Sequence, residues 1–173
     1  KGLKVGHPSD ADTNIGALVS QQHLNKVKDY IQIAKDENAT ILCGGNKVIV
    51  KGFENGYYLE PTVLEVPTDD CRVNQEEIFG PVVTIMPFNT EDDVLQMANK
   101  VKYGLSATLW TNDLKRTMRM SNKLQAGIVW VNTWMLRDLR TPFGGVKDSG
   151  VGREGGFEAL RFFTEAKNVC IKY

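Results

Sequence analysis

Between Thr40 and Asn132, short runs of apolar and β-branched residues alternate with stretches whose apolar residues fall three and four apart. This alternation restricts the chain to an α/β architecture. Thr40-Ile41-Leu42-Cys43, closed by Gly44-Gly45, reads as a short buried strand, and Thr62 to Val66 and Val82 to Met86 are two more, flanked by proline. Leu105 to Trp110 and Gly127 to Asn132 complete the set. Ahead of and among them lie the helices. Ser20 is a candidate cap for the stripe Leu24, Val27, Ile31 and Ala34, which ends near Asp36. Thr90 with Glu91, Asp92 and Asp93 supplies a cap and an acidic first turn ahead of Val94, Met97, Ala98 and Val101. Asp113 to Leu124 is a helix rich in basic residues, and a short helical pattern surrounds Phe157 to Phe163. Strands that are apolar throughout, rather than on alternate positions, point to a mostly parallel sheet covered by helices. Ala166 to Tyr173 reads as a final strand.

A chain of 173 residues, 42% hydrophobic and 24% charged, can bury a real core, and one domain is the default expectation. Twenty-one basic side chains balance twenty-one acidic ones, so no net field draws the molecule to nucleic acid or a membrane surface. No apolar run is long enough to span a bilayer, and no basic-then-apolar leader is present. Cys43, Cys71 and Cys170 are odd in number and lack CxxC spacing or a nearby histidine pair. This fits reduced thiols in an intracellular, cytoplasmic protein without a zinc site.

Three segments have the composition of functional turns. Gly150-Val151-Gly152-Arg153-Glu154-Gly155 has the letters of a dinucleotide fingerprint, but no apolar strand leads into it and no acidic residue follows at the required distance. It reads as a turn whose glycines permit positive φ or close packing, and no phosphate is assigned to it. Glu76-Glu77-Ile78-Phe79-Gly80-Pro81 is a fixed turn at the mouth of a strand. By itself it reads as an exposed acidic turn with a core phenylalanine; the sharper alternative is a carboxylate accepting from a vicinal diol while the ring packs on a planar heterocycle. In Arg137-Asp138-Leu139-Arg140 a guanidinium emerges from apolar surroundings after Trp134-Met135-Leu136. Either it snorkels or pairs with Asp138, or it forms a fork for a substrate carboxylate, a charge-assisted bond contributing about 1.5–3 kcal/mol.

Taken in order and at their spacings, the turn Glu76 to Pro81, the segment Tyr103-Gly104-Leu105-Ser106-Ala107, the strand Gly127 to Asn132 and the run Pro142-Phe143-Gly144-Gly145-Val146-Lys147-Asp148-Ser149-Gly150 resemble the aldehyde dehydrogenase superfamily. The resemblance covers essentially the whole chain. The Trp134 to Arg140 segment and the ending from Gly152 through Val169 look most like the muconic semialdehyde dehydrogenases.

The resemblance implies the C-terminal portion of the catalytic domain over residues 1–163, an oligomerisation strand over residues 164–173, and a cofactor-binding domain outside this sequence. It implies NAD, with NADP possible, held through Glu77 at the nicotinamide ribose and Phe79 by the nicotinamide ring. Arg137 falls where many members place an aromatic residue lining the aldehyde tunnel, which implies a substrate with a carboxylate at its far end; Arg140 is the alternative, and Phe143 resembles the ring flanking the reacting centre. The family's nucleophilic cysteine and general-base glutamate precede the matched region, so no catalytic residue is assigned and this chain alone is expected to be inactive. The implied parent oxidises a carboxylate-bearing semialdehyde of muconic type to the acid and assembles as a homo-oligomer, dimer or tetramer, through its last strand. Two rivals stand beside it: a non-enzymatic assembly module on the same scaffold, and a reductive relative acting on acyl phosphates.

Overall fold

The structure, a computed structural model, describes residues 2–173 and divides into two compact units, residues 1–87 and 88–173, where one domain was the default. The first unit is built on α1 (Gln21–Asp36). Ser20 caps it by accepting a hydrogen bond from the backbone N–H of His23, and Leu24, Val27, Ile31 and Ala34 form its buried face. The helix ends because Asn38 takes a left-handed conformation, φ 65°, one of the few side chains that tolerates it.

Beneath α1 lies a three-stranded sheet ordered β1 (Thr40–Cys43), β4 (Thr62–Glu65), β5 (Val82–Ile85). β1 pairs antiparallel with β4, and β4 pairs parallel with β5. Between β1 and β4 the chain makes a separate antiparallel hairpin, β2 (Lys47–Val50) and β3 (Phe53–Leu59). The one-turn helix α2 (Arg72–Gln75) precedes β5. Leu59, Leu64, Val66, Val73 and Ile78 close the core against the buried face of α1. Thr62, 1% exposed, is satisfied in place: its hydroxyl accepts from Gly45 N–H and donates to the Glu60 carbonyl.

The second unit contains α3 (Glu91–Lys100), β6 (Tyr103–Gly104), β7 (Ser106–Leu109), α4 (Leu114–Lys123), β8 (Ile128–Val131), β9 (Val146–Lys147) and α5 (Gly156–Phe163). β7 and β8 pair in parallel with α4 as their crossover, the arrangement the apolar runs predict. β6 and β9 pair antiparallel, and the Lys147 ammonium donates to the carbonyls of Asn99 and Val101 at the end of α3. Thr90 and Asp93 form a reciprocal capping box at the other end of α3.

The α/β architecture is as expected, but the mostly parallel sheet is corrected: β4–β5 and β7–β8 pair in parallel, while β1–β4, β2–β3 and β6–β9 pair antiparallel because short connections bring those strands back on themselves or close them across the unit. The last expected strand differs. The chain leaves α5 through Thr164 in extended backbone, and residues 164–173 are exposed throughout and join no ladder among the described residues. A strand exists only with a partner, and this chain offers none there.

Glu91 at the start of α3 receives Arg116 Nε at 2.6 Å and Arg119 Nη2 at 2.8 Å from α4. These hydrogen bonds, from Arg119 first and then Arg116, hold its carboxyl down from the ordinary 4.5 to about 2. A depressed acid stabilises the fold above its unfolded value and loses that contribution as pH falls through the folded one. The α3–α4 contact is thus expected to weaken as pH drops from 4.5 towards 2. Carboxyl-carbon NMR of Glu91 checks this: a midpoint near the ordinary value would show the pairs do not persist in solution.

Candidate functional site

In the first unit, the turn from Glu76 to Pro81 is anchored by one side of α1. Tyr30 Oη donates to Glu76 Oε2 at 2.6 Å, while Arg72 Nε and Nη2 reach the same carboxylate at 2.8 and 2.9 Å. The hydrogen bond to Glu76 pushes the Tyr30 phenol above its ordinary pKa. Lys26 Nζ donates to the Glu77 carbonyl at 3.3 Å, and His23 Nε2 to the Phe79 carbonyl at 2.5 Å. Ile78, 8% exposed, turns inward to the core.

What remains faces out. The Glu77 carboxylate is exposed and has no partner among the described residues, whereas its neighbour Glu76 is engaged on both oxygens. Phe79 is 72% exposed, so the sequence reading of a core phenylalanine is corrected: Ile78 takes the inside position. Phe79 also adopts φ 59°, a left-handed conformation that costs a residue with a Cβ roughly 1–2 kcal/mol. A recess of about 340 Å³ opens beside it, lined by Val73, Glu77, Phe79, Gly80, Val82 and Thr84 among others. An ionised carboxylate with free lone pairs beside an exposed aromatic face suits a ribose diol attached to a flat ring.

In the second unit, β8 leads into the loop that carries the two arginines. Asn132, φ 53°, hydrogen-bonds the backbone of Thr111 through both ends of its amide, at 2.8 Å each. The buried Trp130 indole donates to the Leu136 carbonyl at 2.8 Å and meets Trp134 edge-on at 5.2 Å between ring centroids. These contacts fix where the chain stands at Arg137. Its guanidinium lies over the Phe143 ring, 3.8 Å from the centroid, and approaches Glu154 at 3.8 Å. Phe143 and Glu154 are themselves joined by two backbone hydrogen bonds of 2.7 Å.

The Arg137 side chain is thus 31% exposed, stacked and weakly paired, with much of its donor fork unused. Arg140 is different. It is 88% exposed and bound to Asp138 through Nε at 2.9 Å and Nη2 at 2.5 Å. Of the two arginines left open by the sequence, Arg140 makes the local pair with Asp138 and Arg137 is the one beside Phe143.

The glycine-rich run beyond β9 does conformational work. Gly152 and Gly155 have φ 73° and 90°, and a Cβ on Gly155 would sit 2.3 Å from the Thr141 carbonyl oxygen. Arg153 folds back to the carbonyls of Gly145 and Gly152 at 2.8 and 2.6 Å. None of the cysteines has the surroundings of a nucleophile. Cys71 is buried near the Thr68 hydroxyl, Cys170 contacts Asn168, and Cys43 lies in β1. Among the described residues no cluster of His, Cys, Asp and Glu could hold a metal, and no helix is long and apolar enough to cross a membrane.

The aldehyde dehydrogenase family model matches residues 1–169. The chain belongs to this family. It is 49% identical over 99% of its length to a 2-aminomuconic 6-semialdehyde dehydrogenase of a Pseudomonas species, covering 35% of that protein. It is 44% identical to a 2-hydroxymuconic semialdehyde dehydrogenase of Pseudomonas putida, again over 99% of the chain and 36% of the relative. A betaine aldehyde dehydrogenase of Staphylococcus aureus solved with NAD+ superposes with a TM-score of 0.88 at 40% identity, over 93% of this chain and 32% of that one. The chain spans about a third of the length of the curated relatives it matches.

His23, Lys26, Tyr30 and Glu154 contact the two candidate segments and were not singled out as site residues in the sequence. A signal for the first three was present: they recur at intervals of three and four, beside the buried stripe of α1. Their partners stand more than forty residues away, beyond the reach of local pattern. Glu154 was hidden inside the fingerprint-like glycine run.

Proposed function

We propose that the chain is the C-terminal part of an NAD-dependent dehydrogenase that oxidises a carboxylate-bearing semialdehyde of muconic type to the acid. One observation carries the substrate class: Arg137, its side chain 31% exposed and stacked on Phe143, has only a 3.8 Å approach to Glu154 as an ion pair. A guanidinium held against an aromatic face is preorganised for a carboxylate, and partial burial strengthens the bond it can make. The muconic semialdehyde relatives support the same reading.

The cofactor reading rests on Glu77 and Phe79, whose free carboxylate and exposed ring fit a nicotinamide riboside, and is supported by the NAD+ complexes of similar proteins. Bound there, the nicotinamide supplies the hydride acceptor. Glu77 holds and orients the ribose, Phe79 limits the depth of the ring, and Arg137 with Phe143 fixes the far end of the substrate. NADP is the alternative cofactor, since the residues around Glu77 do not read a ribose phosphate. By the family resemblance, the thiolate and the base that activates water lie upstream of residue 1. The chain alone is accordingly expected to perform no oxidation, and the cofactor-binding domain is expected in the preceding part of a longer protein. Assembly as a dimer or tetramer through residues 164–173 is supported by their exposure and their lack of a strand partner among the described residues, with Val169 and Ile171 open to solvent.

Glu77→Gln in the full-length dehydrogenase tests the cofactor reading. It keeps the shape and removes the charge from the acceptor, so the KM for NAD is expected to rise about 5- to 20-fold, the difference between charged and neutral hydrogen bonds. Steady-state kinetics at saturating semialdehyde measures it; an unchanged KM for NAD would remove Glu77 from the site. Comparing that enzyme with the isolated chain, using NAD and a muconic-type semialdehyde, tests the activity itself. Turnover by the isolated chain, or none by the full-length protein, would overturn the reading.

A further inference from the structure

We propose that His23 and Lys26 are positioning residues for the nicotinamide cofactor, acting through the turn rather than by touching the ligand. The inference rests on reading Glu77 and Phe79 as the cofactor clamp. His23, Lys26 and Tyr30 follow one another at spacings of three and four along α1 and therefore share one side of the helix. They engage the turn in reverse order: Tyr30 binds the Glu76 side chain, Lys26 the Glu77 carbonyl and His23 the Phe79 carbonyl. The helix is rigidly seated, since its Leu24, Val27 and Ile31 are 1%, 0% and 3% exposed.

Each of these hydrogen bonds takes a backbone carbonyl or the Glu76 side chain and leaves the Glu77 carboxylate free. With the carbonyls of Glu77 and Phe79 committed to α1, the carboxylate of Glu77 is exposed without a partner among the described residues and the Phe79 ring stays 72% exposed. The His23 ring adds an edge-on contact to Phe79, 6.0 Å between centroids at 73°. Phe79 sits in left-handed backbone, a conformation that persists only where surrounding contacts over-determine it. The His23 bond at its carbonyl is such a contact. Gly80 extends the same seam: a Cβ there would lie 2.7 Å from Val27 Cγ2, so the turn is pressed directly onto α1.

The experiment uses the full-length dehydrogenase with His23→Ala, His23→Gln, Lys26→Ala, Lys26→Arg and Glu77→Gln, followed by NAD kinetics and by hydrogen exchange of the peptide spanning the turn. Both alanine variants are expected to raise the KM for NAD about 3- to 10-fold with kcat within about twofold, and to speed exchange at residues 77–80 by about tenfold, while β4 and β5 keep their protection. Glutamine at 23 and arginine at 26 retain an N–H donor and are expected to restore both readouts.

A raised KM for NAD with no change in turn exchange would overturn the proposal, because the side chains would then be contacting the cofactor themselves. Unchanged KM in the alanine variants, with Glu77→Gln still raising it, would overturn it as well while leaving the cofactor clamp standing. Should Glu77→Gln leave the KM for NAD unchanged, the clamp reading itself fails, and the exchange data then report separately on whether α1 holds the turn.

Discussion

Arg137→Leu in the full-length dehydrogenase is expected to raise the KM for a carboxylate-bearing semialdehyde by roughly 10- to 150-fold, the equivalent of about 1.5–3 kcal/mol for a charge-assisted hydrogen bond. A neutral aldehyde of equal length is expected to change by no more than about threefold, since leucine keeps an apolar contact on Phe143. The contrast is the informative quantity. The guanidinium lies 3.8 Å over the Phe143 ring, so part of any loss is packing, and packing affects both substrates alike. Only the difference between the two substrates reports on carboxylate recognition. Lysine at the same position restores charge without the planar fork and is expected to recover part of that difference. Steady-state kinetics on the matched pair of aldehydes decides it: equal losses on both would remove the substrate argument.

Gly127→Ala is expected to destabilise the second unit by about 3–5 kcal/mol, at the upper end of single-substitution effects. The methyl group would fall 1.6 Å from the Gly144 carbonyl oxygen and 3.1 Å from the Gly145 Cα, with no flexible side chain able to yield. Backbone must move instead, and Gly127 also donates its N–H to Gly104 at 3.0 Å. The displaced chain adjoins Phe143, so the surroundings of Arg137 are expected to loosen before the unit melts. Denaturant unfolding followed through Trp130 fluorescence measures the loss. Gly16→Ala is the control, because a Cβ there meets nothing within 4 Å; similar losses in both variants would show that the close approach at Gly127 relaxes freely.

Local features were the legible ones. The Ser20 cap and the buried stripe Leu24, Val27, Ile31 and Ala34 depend on residues within one helix, and the structure places them as the periodicity predicts. The hairpin of β2 and β3 was missed because Phe53–Leu59 carries Glu54, Asn55 and Gly56 at its centre, and its pairing rather than its composition makes it a strand. β6 and β9 are two residues each and meet across more than forty positions, which no local pattern reports. Residues 166–173 failed in the opposite sense: composition suited a strand, but an edge partner within the chain was lacking.

The candidate residues show the same division. Glu77, Arg137 and Phe143 were found as residue types in a recognisable order, and the structure adds what each is free to do. The different pairing of Arg137 and Arg140 needed geometry, since Asp138 lies beside Arg137 in sequence and binds only Arg140 closely. Phe79 was expected inside on hydrophobicity alone. Ile78, with equal claim to the core, faces it instead.

Glu76 has extended backbone, φ −114° and ψ 147°, so successive side chains there leave on opposite sides. The tandem carboxylates consequently behave as a parity code: one side chain is held by the protein and the next faces out. Substituting either changes a single side. Deleting one residue between Gln75 and Ile78 leaves one carboxylate for two positions: it either keeps Tyr30 and Arg72 and turns Ile78 outward, or faces out and leaves Tyr30 and Arg72 without it. Natural length variation in this family should therefore avoid that interval altogether, even where sequence at Glu76 drifts.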